Sequence, residues 1–315
     1  MILCLTVHHM LKSVFGRRFD GAPTLPYWRA KDLGVKEERF SFYTQHHWKL
    51  SGSRYYVKGK DYKGLIVFFH GLGDGRASYI KTICQLAKEG YLVYAYDNTG
   101  CMESEGNEIY SFEHTLIDQK YFFEFLDKDP KAQGLKRYAI GHSWGGYSAA
   151  VSAKKEYKIQ KIVDIAGFNS AIDVTMRNIP KSLQILRPFV WLNFKFASGK
   201  YGCIPATKVL KGSSCKFLYI QGDKDTDVLL EDGYGPLYKE FKNNKRFSFI
   251  IEKGRGHSVY KSIEAEEYVK KIIKEGITQT SVTKDIEMDL VKATEENKEL
   301  WKKIFSFLDE EEETK

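Results

Sequence analysis

The chain has 315 residues, 43% of them hydrophobic and 29% charged, with a formal net charge of +8. That length and apolar content suit one large domain with a substantial core and exclude a disordered or fibrous chain. No apolar run approaches the ~18–20 residues of a membrane-spanning helix, and five scattered cysteines without paired spacing argue against a disulfide framework.

The first fifteen residues are apolar and amphipathic. No basic segment precedes them, no small-residue cleavage site follows, and Arg17-Arg18 comes after the apolar run, so they are not read as an export signal. They are expected to pack on the domain, with a weak membrane-surface contact as the alternative. Together with the cysteines, this gives a cytoplasmic expectation. Residues 37–44 and 48–58 alternate apolar and polar, as in an antiparallel hairpin at a sheet edge. Residues 64–70 form a near-continuous apolar run, the signature of a strand buried on both faces. A helix is predicted over 76–90, a strand over 91–97 and a helix over 111–126. Further strands are predicted at 138–140, 161–166, 215–220 and 247–251, then a helix from beyond His257 to about Lys274. Alternating strands and helices predict an α/β chain: a mostly parallel central sheet with helices on both faces.

Within that path, Gly141-His142-Ser143-Trp144-Gly145 follows an apolar strand and leads into the small residues 145–150. Strand, sharp turn and helix around G-x-S-x-G describe a nucleophile elbow. A serine hydroxyl needs a base in hydrogen-bond reach, and the base needs an orienting acid. The chain order in which such sites occur is serine, acid, histidine. Downstream, the strand at 215–220 opens into Gly222-Asp223-Lys224-Asp225-Thr226-Asp227, and the strand at 247–251 into Gly254-Arg255-Gly256-His257. Upstream, the strand at 64–70 ends in His70-Gly71-Leu72-Gly73.

With these four motifs in order, residues 63–274 resemble an α/β-hydrolase. The resemblance implies a triad of Ser143, Asp225 and His257, the family's G-x-x-D pattern selecting Asp225 after Gly222 and leaving Asp227 as the alternative. It also implies an oxyanion hole from the backbone N–H groups of Leu72 and Trp144, each such donor typically worth about 2.7–4 kcal/mol in the transition state. The loop at 97–104 is similar to the family's D-x-R-G-x-G-x-S, but Thr99 and Met102 depart from it. The implied activity is hydrolysis of carboxylic esters, such as acyl esters or monoacylglycerols, through an acyl-enzyme. Aminopeptidase, thioesterase and a catalytically silent binding protein are the alternatives, because this fold hosts many chemistries.

The whole chain is read as a single α/β-hydrolase domain, residues 1–315. An N-terminal extension covers 1–34, a small helical cap insertion 167–214 and an acidic helical extension 277–315. Residues 182–196 of the cap are rich in Leu, Ile, Phe and Trp, so Phe189 and Trp191 are candidate substrate-binding residues. The cap is also basic, with seven cationic residues against Asp173 alone. From Asp285 onward there are eleven acids and five bases, and Leu300, Trp301, Ile304, Phe305 and Leu308 share a helical face expected to dock on the basic body or on a partner. No cofactor or metal is expected: the His8-His9 and His46-His47 pairs lack acidic or cysteine partners at ligand spacing. His142 is read as a packed or hydrogen-bonded side chain and His70 as a loop-orienting one. The expected partner is a small ester with an apolar acyl group. No motif supports nucleic-acid binding, and the oligomeric state stays open.

Overall fold

Residues 2–21, 25–59, 61–73, 75–177, 179–275 and 287–311 are described by a computed structural model. Parts of the two extensions read from the sequence, residues 1, 22–24, 277–286 and 312–315, lie outside the described residues, as do Lys60, Asp74 and, in the cap insertion, Asn178.

The strands are β1 (Lys36–Tyr43), β2 (Lys49–Tyr56), β3 (Gly64–Phe69), β4 (Tyr91–Tyr96), β5 (Arg137–His142), β6 (Ile159–Ile165), β7 (Lys216–Gly222) and β8 (Phe247–Glu252). β3, β4 and β5 are buried at every position, as strands covered on both faces must be. One sheet results, in the order β1-β2-β4-β3-β5-β6-β7-β8. β1 and β2 form an antiparallel hairpin that joins β4 antiparallel, and all later pairings are parallel. The chain leaves β3 for β4, crosses back to β5 and then moves outward to β8. The strand order therefore reverses between β3 and β5, and the crevice beyond their C-terminal ends is where such sheets bind ligands.

The helices are α1 (Ile2–Phe15), α2 (Ile80–Lys88), α3 (Thr115–Leu126), α4 (Trp144–Val151), α5 (Ala171–Arg177), α6 (Arg187–Ser198), α7 (Ala206–Lys211), α8 (Tyr234–Phe241), α9 (Ile263–Glu275), α10 (Leu290–Ala293) and α11 (Lys298–Asp309). Side-chain alternation along β3 divides the core in two. Leu65, Val67 and Phe69 pack in the cluster shared with α1, α3, α4 and α6, while Ile66 and Phe68 pack with α2 and α11. The helix predicted over 76–90 begins only at Ile80. Residues 75–79 form a tighter turn because Arg76 is drawn into the interior, where its guanidinium pairs with the buried Asp97 and its N–H donates to Asp97 Oδ1 at 2.8 Å.

α1 packs on α6, burying Val7, Leu11 and Phe15, with Phe15 edge-on to Phe194 and His8 bonded to Asn193. Among the described residues no helix is long and apolar enough to cross a membrane.

α11 buries Leu300, Trp301, Ile304, Phe307 and Leu308, a stripe at helical spacing, against the sheet. Phe305, expected on that face, is partly buried at its margin. The acidic tail meets basic groups of the body through Lys63–Asp309 and Lys216–Glu310, surface pairs of small individual worth. Burial makes Lys161 more important. This lysine on β6, 2% exposed, donates to the carbonyls of Phe307 at 3.1 Å, Leu308 at 2.8 Å and Glu310. It thus satisfies acceptors that the helix end leaves without partners. Lys161→Met is expected to lower stability by about 1.5–3 kcal/mol, the usual worth of hydrogen bonds to a charged group. A drop in the urea midpoint at unchanged slope checks this; an unchanged midpoint contradicts it.

Candidate active site

β5 ends at His142, and the next residue departs from ordinary backbone geometry. Ser143 has φ 59° and ψ −122°, a conformation that costs a side-chain-bearing residue about 1–3 kcal/mol. The Ser143 N–H donates to Ile165 O at 2.8 Å, and Ser143 O accepts from Tyr147 N–H at 3.1 Å, fixing the turn to β6 and α4. Both flanking glycines are required by contact. A Cβ at Gly141 would stand 1.9 Å from Gly145 O, and one at Gly145 would stand 2.0 Å from Phe69 O. Trp144 opens α4, so its N–H has no intrahelical acceptor and belongs to the positive end of the helix.

Asp225, in the loop after β7, is 6% exposed and surrounded by donors. Its Oδ1 accepts from the N–H groups of Asp227 and Val228, both at 3.0 Å, and Oδ2 from Gln221 Nε2 at 3.3 Å. His257 Nδ1 lies 3.0 Å and 2.9 Å from the two carboxylate oxygens. Nδ1 therefore carries a proton toward Asp225, leaving Nε2 as the acceptor. The neighbouring aspartates are otherwise occupied: Asp223 accepts from Gly254 N–H at 2.6 Å, and Asp227 is exposed. Ser143 and His257 line one cavity, but among the described residues no hydrogen bond joins them. Such bonds are often open until a substrate closes them.

Two further histidines brace this arrangement. His70 Nε2 accepts from Asn98 N–H at 3.0 Å, so its Nδ1–H donates to Gly71 O at 2.6 Å and fixes the loop that continues to Leu72. His142 Nε2–H donates to the carbonyl of His257 at 2.9 Å, and its Nδ1 accepts from Tyr79 O–H at 2.9 Å; the same Tyr79 oxygen accepts from Gly71 N–H at 3.2 Å. A continuous chain thus runs from the Gly71-Leu72 loop to the backbone of His257. Burial holds both imidazoles below the ordinary histidine range, which keeps these tautomers fixed.

The cavity around Ser143 has a volume of about 530 Å³ and also contains Leu72, Trp144, His142 and Asp227. It does not contain Phe189 or Trp191. This departs from the sequence expectation, and helix geometry explains it. α6 buries Val190, Phe194 and Ser198, spaced four apart, so neighbouring Trp191 turns outward and is 47% exposed. Phe189 packs on the margin of the core instead. From the cap insertion, Phe168 and Val174 are the residues that reach the cavity among the described residues. Other parts of its wall carry no sequence motif, among them Trp28 from the N-terminal extension, Tyr79 from the turn before α2, and Met288, Leu290 and Ala293 near the C-terminus. The aromatic Tyr27-Trp28 pair beside Pro26, in a segment otherwise without regular structure, was the one available signal.

The sequence model of the serine aminopeptidase S33 hydrolases matches residues 60–228, more than half of the chain. The chain belongs to this family of α/β-hydrolases. The abhydrolase domain-containing protein lid-1 of Caenorhabditis elegans is 27% identical over 192 residues, 58% of this chain and 47% of that protein. The chain thus spans about half the length of that curated relative. The esterase Pf2001 of Pyrococcus furiosus is similar in fold, with TM-score 0.60 and 21% identity over 84% of this chain and 100% of the esterase. The acylaminoacyl peptidase of Pyrococcus horikoshii superposes with TM-score 0.54 and 15% identity, over 82% of this chain and 44% of the peptidase.

In this α/β-hydrolase another buried carboxyl lies against the elbow helix at Gly146. Asp164 of β6 is fully buried; its Oδ1 accepts from Gly167 N–H at 2.9 Å, and Oδ2 has no protein partner among the described residues. Burial pushes this carboxyl up to about 8. A folded-state pKa above the unfolded one means that stability is fully present below about pH 4 and falls as pH rises toward 8. Glu113, Asp118 and Glu296, each pushed up to about 7 by burial, act in the same direction. Asp164→Asn is expected to flatten the decline of wild-type stability between pH 4 and 8. Urea midpoints measured across that range check it; parallel profiles for the two proteins contradict it.

Proposed function

We propose that this hydrolase cleaves carboxylic esters through an acyl-enzyme formed on Ser143. The observation that carries the reading is the shared cavity: Ser143, at a strained backbone position, opens into the same space as His257, whose orientation the buried Asp225 fixes. In the first step Ser143 Oγ bonds to the substrate carbonyl carbon and passes its proton to His257 Nε2. The carbonyl oxygen takes up negative charge, which in this reading the N–H groups of Leu72 and Trp144 receive. The C–O bond to the alcohol then breaks, and His257 returns the proton to the leaving oxygen. Water, deprotonated by the same imidazole, releases the acid and restores Ser143.

An ester is favoured over an N-terminal peptide by the lining. Asp227 is the one acidic residue among the cavity's described walls, and it is exposed, whereas binding of a free α-ammonium calls for a sheltered carboxylate. All five cysteines are free, which suits a reducing compartment, and we place the protein in the cytoplasm on that ground.

The test is turnover of p-nitrophenyl esters from acetate to palmitate beside aminoacyl-nitroanilides. Ser143→Ala is expected to abolish ester turnover. Asp225→Asn should lower kcat by roughly 10³–10⁴-fold, because an amide favours the wrong imidazole tautomer. Turnover of the anilides alone would make the protein an aminopeptidase. Ester turnover that survives Ser143→Ala would remove the serine mechanism.

A further inference from the structure

The cavity that holds Ser143 is also lined by both chain extensions: Trp28 from the N-terminal side, and Met288, Leu290 and Ala293 from the C-terminal side, together with Val269 and Ile273 of α9. These segments are fastened to each other and to the loop that carries His257. Trp28 Nε1 donates to Thr294 Oγ1 at 2.9 Å. Ser262 N–H donates to Glu295 O at 2.8 Å, Asn297 N–H to Tyr260 O at 2.9 Å, and Trp301 Nε1 to the same Tyr260 carbonyl at 3.2 Å. The wall is therefore preformed.

We propose that this chamber between the two extensions binds the linear apolar chain of the substrate, and that Trp28, Met288 and Leu290 set the chain length accepted. The inference rests on the ester-hydrolase reading for its reactive end and adds the subsite. Three observations converge on it. The chamber is continuous with Ser143 and His257. Its walls are mostly aliphatic and aromatic, and the Trp28 indole N–H and the Tyr79 hydroxyl are engaged with Thr294 and His142, so they serve as apolar surface rather than as donors to a sugar or peptide. Finally, a cavity of about 530 Å³ falls within the ~300–1,000 Å³ of small-molecule sites, and the cap's own apolar residues Phe189 and Trp191 lie outside it. The hydrocarbon leaves water for a preformed apolar space, which favours the longer chain.

The experiment compares the rates at which ethyl and decyl fluorophosphonates label Ser143, read by intact-protein mass. In that reaction Ser143 Oγ bonds to phosphorus, fluoride leaves and the serine proton passes to His257. Wild type is expected to react faster with the decyl probe. Leu290→Trp, which fills the chamber, should slow the decyl probe by roughly tenfold or more while changing the ethyl rate by less than about twofold. Trp28→Ala, which enlarges the chamber, should raise the rate of a hexadecyl probe relative to the decyl probe, and an unchanged ratio would remove Trp28 from the assignment. Phe189→Ala and Trp191→Ala should leave the decyl-to-ethyl ratio unchanged. Equal effects of Leu290→Trp on both probes, or a loss of decyl preference in Trp191→Ala, would overturn the assignment. Should neither probe label wild type, the serine mechanism fails on its own, and displacement of bound cis-parinaric acid by decanoate still decides the chamber: competition in wild type that Leu290→Trp weakens supports it, and no binding in wild type overturns it.

Discussion

The backbone of Ser143 is the constraint on which the site depends. A side-chain-bearing residue at φ 59° needs surroundings that hold it there, and the chain supplies them from three neighbouring strands. Ile165 at the end of β6 accepts its N–H, Gly141 at the end of β5 clears the path for α4, and Gly145 lets the helix rest on the carbonyl of Phe69 at the end of β3. Two of them, β3 and β5, are the strands between which the sheet order reverses. Parallel pairing brings their C-terminal ends to one edge, so Ser143, the Leu72 loop and, through β7 and β8, the loops of Asp225 and His257 converge without any long excursion.

Positioning of His257 is shared between a side-chain contact and a backbone contact. Asp225 fixes the imidazole of His257 by its side chain, while His142 fixes the same residue by its carbonyl. Because His142 is also tied through Tyr79 to Gly71, the His257 loop and the Gly71-Leu72 loop are held to a common frame. The turn thus contributes more than Ser143: the residue before the serine carries the link between the two loops. The C-terminal segment braces this frame from outside, through Asn297 and Trp301 on the Tyr260 carbonyl, and α11 is in turn held to the sheet by Lys161.

Much of this was legible in the sequence, for a definite reason. Apolar runs such as 64–70 and the alternation at 37–44 follow directly from burial on two faces or one, and the strands fall within two residues of the expected places. The motif residues were readable because tight turns demand glycine at fixed offsets. Asp225 could be separated from Asp223 and Asp227 only by pattern, and the geometry adds the reason: it alone of the three faces His257. The amphipathic face of residues 300–308 likewise announced a docked helix, since nothing else would bury it. The failures share a cause. Phe189 and Trp191 have the chemistry of pocket-lining residues, but α6 packs on α1, more than 170 residues earlier in the chain, and no local pattern shows which face that contact buries. The chamber wall joins residues near 28 to residues near 290, and no local pattern pairs them.

A crystal structure of the protein reacted with a decyl fluorophosphonate would test the central claim most directly. The expected result is phosphorus bonded to Ser143 Oγ, a phosphoryl oxygen facing the N–H groups of Leu72 and Trp144, and an alkyl chain running between Trp28 and Leu290. A chain lying instead along α6 beside Phe189, or an adduct on any residue other than Ser143, would contradict it.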